Sequence, residues 1–221
     1  MPKKTTTRET PRDLKEACVL AAREVIAEHG VEQLSLREVS RKLGVSHQAP
    51  YKHYRSRDHL LAEVMRRSFL SFAAVLGDHA ANDNPLRELG DMGRQFLAYA
   101  NDHPLEYRLM FSTPWPAPEE HPELVRDARY AFDRLRSGLR RLFGEAEAQS
   151  ELIDLHAIFI WSAMHGVATI MRSDVMRGLT LPAPVLAQAQ PHVMAMVAKA
   201  LTARDDPAPD EARPRPPAKR R

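Results

Sequence analysis

The chain has 221 residues, one cysteine and a formal net charge of +3. That length buries a sizeable core without a disulfide or metal staple, and the lone Cys18 excludes an intramolecular disulfide and a cysteine-built zinc site, favouring a reducing compartment. The start MPKKTTTRET lacks the apolar core of a secretory signal, and no apolar run approaches the roughly 18 residues of a spanning helix, so a cytoplasmic protein without membrane contact is expected.

Residues 1–11 read as a basic flexible arm. Hydrophobic spacing then follows the helical period almost throughout, with no long alternating strand pattern, which predicts an all-α fold. The first helix is expected over about 12–29, with Leu14, Ala17, Cys18, Ala21, Ala22, Val25 and Ile26 on one face and Gly30 as its stop. The second starts at Ser35, where Ser35 and Glu38 make a capping box, and ends at Gly44. Ser46 is positioned to cap a third short helix over 47–54, with Pro50 in its first turn. A long fourth helix is expected over about 58–76. Beyond the punctuation of Asn82 to Pro85, helices are predicted near 85–101, 104–112, 121–143, 151–174 and 182–203. A stiff Thr113–Pro118 loop interrupts them. Residues 204–221 are proline-rich, charged and almost without apolar groups, the composition of a disordered tail.

Charge is unevenly placed. Residues 1–57 hold 12 Lys and Arg against 7 Asp and Glu, so they carry +5 and the remainder −2. A basic head on a mildly acidic body points to a polyanion as partner. Two short helices joined across Gly44 make a helix-turn-helix over about 35–54, the geometry that lays its second helix in a major groove. That helix carries Ser46, His47, Gln48, Ala49, Tyr51, Lys52, His53 and Tyr54. Gln48 pairs with adenine in two-point fashion, and His47 reaches a base edge or a phosphate. Tyr51, Lys52, Tyr54 and Arg57 are phosphate-type donors, joined by Arg37 in the first turn of the supporting helix. The bland alternative is structural: paired short helices around a glycine occur in many helical proteins, and either tyrosine can be core.

The segment LSLREVSRKLGVSHQAPYKHYRSRDHLLAEV resembles the helix-turn-helix and following helix of the TetR family of transcriptional regulators. The resemblance rests on Ser35, Val39 with Leu43, Gly44-Val45-Ser46, Tyr51-x-His53-Tyr54, and Ser56-Arg57 before Leu60-Leu61, and it covers about residues 12–65. Tyr54 stands where relatives usually have Phe, and Arg57 where they often have Lys. The resemblance implies an all-helical homodimer with a DNA-binding head, here 12–72, and an effector-binding and dimerisation body, here 73–203. It implies a repressor released from a palindromic operator in double-stranded DNA by a small-molecule effector. The alternative is a ligand- or protein-binding helical module with weak or architectural DNA contact.

In the body, Trp161, His165 and Gly166 look like the Trp-x-x-x-His-Gly signature of one TetR C-terminal subclass, and the segment from Glu106 to Phe111 is similar to that subclass too. Trp161 and His165 stand one helical turn apart, and Gly166 permits close approach of another backbone. A hydrogen-bonded buried histidine is the favoured reading of His165. Phe96, Tyr99, Met110, Phe111, Phe132, Trp161, Met164 and His165 are the candidate lining of an effector pocket. Ile158, Phe159, Trp161, Val193, Met196, Val197 and Leu201 are the candidate dimer seam. No glycine-rich phosphate loop, HExxH, GxSxG or metal-ligand spacing is present, so no enzyme, metal or cofactor is expected. The basic ends at Lys3-Lys4 and Lys219-Arg220-Arg221 add non-specific DNA affinity or serve only solubility.

Overall fold

The computed structural model describes residues 13–77, 83–144 and 151–203, so the arm, the tail and Arg12 lie outside the described residues. Among the described residues there are helices and no strand. Helix α1 (Leu14–His29) starts at Asp13, whose carboxylate accepts the Glu16 N–H at 3.0 Å, satisfying an orphan donor at the positive end of the helix dipole. A 3₁₀ turn (Val31–Gln33) leads to α2 (Leu36–Leu43). Here Ser35 Oγ accepts from Glu38 N at 3.1 Å, but the reciprocal half of the expected capping box is absent. The Glu38 carboxylate instead takes the Arg41 guanidinium one turn on, which holds it below its ordinary carboxylate value.

The expected third helix is not a regular one. Residues 47–49 form turns, and Pro50–Lys52 is a single 3₁₀ turn. The reason is Pro50, which has no N–H to donate to Ser46. That carbonyl is taken by Ala49 N at 3.0 Å, and the coil continues in tight i to i−3 bonds, Lys52 N to Ala49 O and His53 N to Pro50 O.

Helix α3 (Arg57–Gly77) is the spine. Its first half buries Leu60, Leu61, Val64 and Met65 with α1, and its second half buries Phe69, Phe72 and Leu76 among α4 (Pro85–Asp102), α5 (Pro104–Phe111) and α6 (Pro122–Phe143). It crosses the expected head–body boundary at residue 72 unbroken, and one apolar core runs from Cys18 to Leu201.

Helix α7 (Glu151–Ile170) packs on α4, α6 and α9 (Ala183–Thr202). The expected continuation to 174 fails because Ser173 caps a separate short helix, α8 (Asp174–Gly178), its Oγ accepting from Met176 N at 3.2 Å. With a mean hydropathy of 1.3 over an 18-residue window, α7 is long and apolar enough by composition to cross a membrane, which a search for an apolar run misses because Asp154, His156, Ser162 and His165 interrupt it. Ile153, Ala157, Ile160, Met164, Val167 and Ala168 are buried, and Leu155, Ile158, Phe159 and Ile170 stand exposed. The helix is thus apolar on a core face and on an outer face.

Candidate nucleic-acid interface and body cavity

Gly44 ends α2 in the left-handed conformation (φ 67°, ψ 29°), which any residue with a Cβ adopts at a cost. Its N–H returns to Arg41 O at 3.2 Å, and Val45 N returns to Ser40 O at 3.1 Å. The chain is thereby turned so that Ser46, His47, Gln48, Tyr51, Lys52 and His53 are exposed within eight consecutive residues, with Arg37 exposed on α2. Ala49 is half-buried and Pro50 buried, so the stretch is anchored from within.

Two expected surface donors are not on that surface. Tyr54 is 2% exposed; its hydroxyl donates to Lys15 O at 3.2 Å, and burial raises its pKa. It packs the head, and Phe at this position would serve the same end. The Arg57 guanidinium donates to Val31 O at 2.8 Å and Leu34 O at 3.2 Å and pairs with Asp58. It fastens the 3₁₀ turn after α1 to the start of α3.

Of the six cations from Arg37 to Arg57, three are therefore committed. Arg57 serves the carbonyls, Arg41 serves Glu38, and Lys42 spans to Glu28 at 2.8 Å and Glu24 at 3.1 Å on α1, which raises its pKa. Among the described residues no ion pair engages the side chains of Arg37, Lys52 or Arg55. Arg55 is a candidate that composition alone did not single out. Ser40 is another missed residue. It is fully buried, donates to Arg37 O at 2.7 Å, and lies 3.1 Å from His47 Nδ1. The available signal was a serine within the run Val39 to Leu43.

The body holds a cavity of about 190 Å³ walled by α3, α4, α5, α6, α7 and α9. Of the candidate pocket residues, Phe96, Met110, Phe111, Phe132, Trp161 and Met164 line it. Tyr99 and His165 do not. Tyr99 donates to Ser68 O at 3.3 Å and packs against Phe72, which itself faces the cavity. The ring of His165 stacks on Tyr107, with Nδ1 2.7 Å from the Tyr107 hydroxyl. Burial lowers the His165 pKa and pushes that of Tyr107 up to about 12. The neutral imidazole therefore accepts from the phenol, and its other nitrogen faces Thr169 Oγ1 at 3.5 Å. Phe69, Phe72 and Leu76 were missed as lining because they sit on the helix that also builds the head.

Gly166 does not meet a close backbone within this chain: an added Cβ there finds nothing within 4 Å. Among the described residues no group of three or more His, Cys, Asp or Glu comes together in metal-binding fashion.

Ion pairs and a ring contact also tie head to body. Arg23 on α1 pairs with the largely buried Glu106 on α5. Arg66 on α3 pairs with Asp127 on α6 at 3.0 Å. His59 at the start of α3 stacks on His121 at the start of α6, with ring centroids 5.8 Å apart.

The amino-acid sequence matches two family models, one for bacterial regulatory proteins of the tetR family over residues 19–64 and one for the tetracycline-repressor-like C-terminal domain over 89–183. Among curated proteins it is similar to HTH-type transcriptional regulators of Mycobacterium tuberculosis and Mycobacterium bovis, at 26% identity over 141 residues. The match spans 60% of this chain and 60% of those relatives' length. Among solved structures, a protein of unknown function from Rhodococcus superposes with a TM-score of 0.70 at 22% identity, covering 88% of this chain and all of that one. A tetR-family regulatory protein, also from Rhodococcus, gives 0.60 at 19% identity, over 85% of this chain and 98% of that one. A fatty acid degradation regulator from Bacillus halodurans gives 0.61 at 16% identity, over 89% of this chain and all of that one. These likenesses carry the fold, and the two family models, one on the head and one on the body, carry the assignment: the chain belongs to the TetR family of transcriptional regulators.

Proposed function

We propose that this protein is a non-catalytic, ligand-responsive repressor that acts in the cytoplasm as a homodimer on a palindromic operator. The observation that carries this is the shared helix. The same α3 that packs against α1 in the head also walls the apolar cavity of the body. His47 and Gln48 are the base-edge readers. Arg37, Ser46, Tyr51, Lys52, His53 and Arg55 are the backbone contacts that set register.

The dimer forms through the outer face of α7 and α9. Leu155, Ile158, Phe159, Gly166, Val185 and Met196 are exposed or open there, and Trp161 is partly exposed beside them. Of the expected seam, Leu201 is buried within this chain and Val193 and Val197 are half-buried, so the seam rests on Ile158, Phe159 and Met196. We read Trp161, His165 and Gly166 as the Trp-His-Gly subclass signature, with Gly166 admitting the partner's backbone. Two-fold symmetry then presents two 46–53 stretches to successive major grooves about 34–36 Å apart.

An effector in the cavity acts by binding one arrangement of α3, α5 and α6 better than the other. The pairs Arg23–Glu106 and Arg66–Asp127 pass that shift to the head. Selection of fragments bound from the source genome, followed by footprinting, tests the reading. One discrete protected palindrome is expected. Uniform coating of DNA without a preferred site would instead identify an architectural binder.

A further inference from the structure

The cavity is distinctive in what it lacks. Every side chain lining it is hydrocarbon, thioether or indole, with no carboxylate, ammonium, guanidinium, hydroxyl or amide among them. Among the described residues the two indole N–H groups are its only polar side-chain atoms, and that of Trp115 is spent on Met110 O at 3.2 Å. Several charges carried by the surrounding helices are paired outside the lining, Arg141 with Glu88, Arg136 with Asp133 and Asp154, and Arg66 with Asp127, and no charged side chain lines the cavity itself among the described residues. An ionised ligand entering this space loses its hydration and gains no counter-charge, a cost that apolar contact does not recover.

The walls also set a size and a shape. Apolar cavities of about 150 Å³ stay dry and take up benzene. This one, at about 190 Å³, is moderately larger. Phe72, Phe96 and Phe111 meet edge to face around it, with centroids 5.5–5.8 Å apart for Phe72 against the other two. They present ring faces and edges, which suit a flat guest. From α7 and α9, Met164 and Met194 reach toward Gly93 on α4, and flexible thioethers let the wall adjust by small amounts.

We propose that the effector is a neutral, essentially hydrocarbon ring compound of about ten non-hydrogen atoms or fewer, held without any ionic anchor. This rests on the reading of the body as the sensor and names the chemical class that it senses. An acid, an amine or a phosphorylated metabolite is excluded as the group seated in the cavity.

The test uses the full chain without DNA, so it stands or falls separately from operator recognition. Naphthalene, 2-naphthoate and 2-naphthylmethylammonium share one ring system and differ in charge. Binding is read by quenching of tryptophan fluorescence and by the rise in melting temperature. Naphthalene is expected to bind, and each ion to bind at least about a hundredfold more weakly. Toluene should bind more weakly than naphthalene, and pyrene should not enter. Gly93→Ala places a methyl 3.5 Å from Met194 Cε and 3.6 Å from Met164 Cε, ordinary contact distances, so it should fold at least as well as the parent while weakening naphthalene several-fold. Equal or tighter binding of either ion overturns the proposal. So does failure of naphthalene to bind, naphthalene binding that Gly93→Ala leaves unchanged, or pyrene binding as tightly as naphthalene.

Discussion

The imidazole Nδ1 of His47 lies 3.1 Å from Oγ of Ser40, seven residues earlier, and that hydroxyl already donates to Arg37 O at 2.7 Å. A serine has one hydroxyl hydrogen, so the proton shared with His47 belongs to the ring. In the neutral ring this contact fixes the tautomer with Nε2 as the bare acceptor at the start of the exposed stretch, the form that takes a hydrogen bond from adenine N6 or cytosine N4.

Ser40→Ala should release that ring without unfolding α2, since alanine suits a helix interior. Affinity for the selected operator is expected to fall about fivefold, the worth of one hydrogen bond, with little change on random DNA. Imidazole ¹⁵N shifts report the tautomer directly. An unchanged tautomer together with unchanged affinity would remove Ser40 from this role.

The division of cations predicts a division of salt effects. Lys52→Ala should flatten the dependence of log affinity on log salt by about 1 for each half-site, because no ion pair engages Lys52 among the described residues and its charge can displace a counterion. Arg57→Ala should leave the slope alone. Titrations from low to high salt on one operator fragment separate the two.

Arg57→Ala should instead show in stability. The guanidinium's bonds to Val31 O and Leu34 O are charge-assisted, and losing them is expected to cost about 2 kcal/mol. Urea unfolding measures it. A loss of DNA affinity with unchanged stability would return Arg57 to the phosphate role its position first suggested.

His165 makes stability depend on pH with a definite sign. Burial lowers its pKa below the ordinary 6.5, so the folded protein keeps it neutral while the unfolded chain takes a proton. Its contribution is complete above about pH 6.5 and is lost as pH falls toward the folded value. Melting temperature should therefore drop more between about pH 7.5 and pH 5.5 in the parent than in His165→Gln. Equal drops would show that this ring does not carry the effect.

Gly166 tests the dimer. Within one chain a Cβ there meets open space, so Gly166→Leu should leave the monomer fold and its helix content intact. Against a partner's α7 it should clash, raising the monomer fraction in sedimentation and weakening operator binding. A dimer unaffected by leucine would place the interface elsewhere.

The all-helical class, the lengths of α3, α4 and α6 and the position of the helix-turn-helix were legible because they rest on local rules. The 3.6-residue spacing of apolar groups and the glycine stop at residue 44 are written in neighbouring residues. One local misreading, a regular helix over 47–54, followed from placing Pro50 in a first turn whose hydrogen bonds it interrupts. What only the tertiary structure decided is the allocation of identical residue types. Arg57 and Arg55 are two positions apart, yet one fastens backbone carbonyls and the other has an exposed side chain in no ion pair among the described residues. Tyr51 and Tyr54 share a turn, yet one is 52% exposed and the other buried. Likewise Phe69 and Phe72 became cavity wall because α3 passes from head to body. Those outcomes depend on which distant carbonyl, core or helix each side chain meets, and such contacts are set by packing across tens of residues, which periodicity along the chain does not encode.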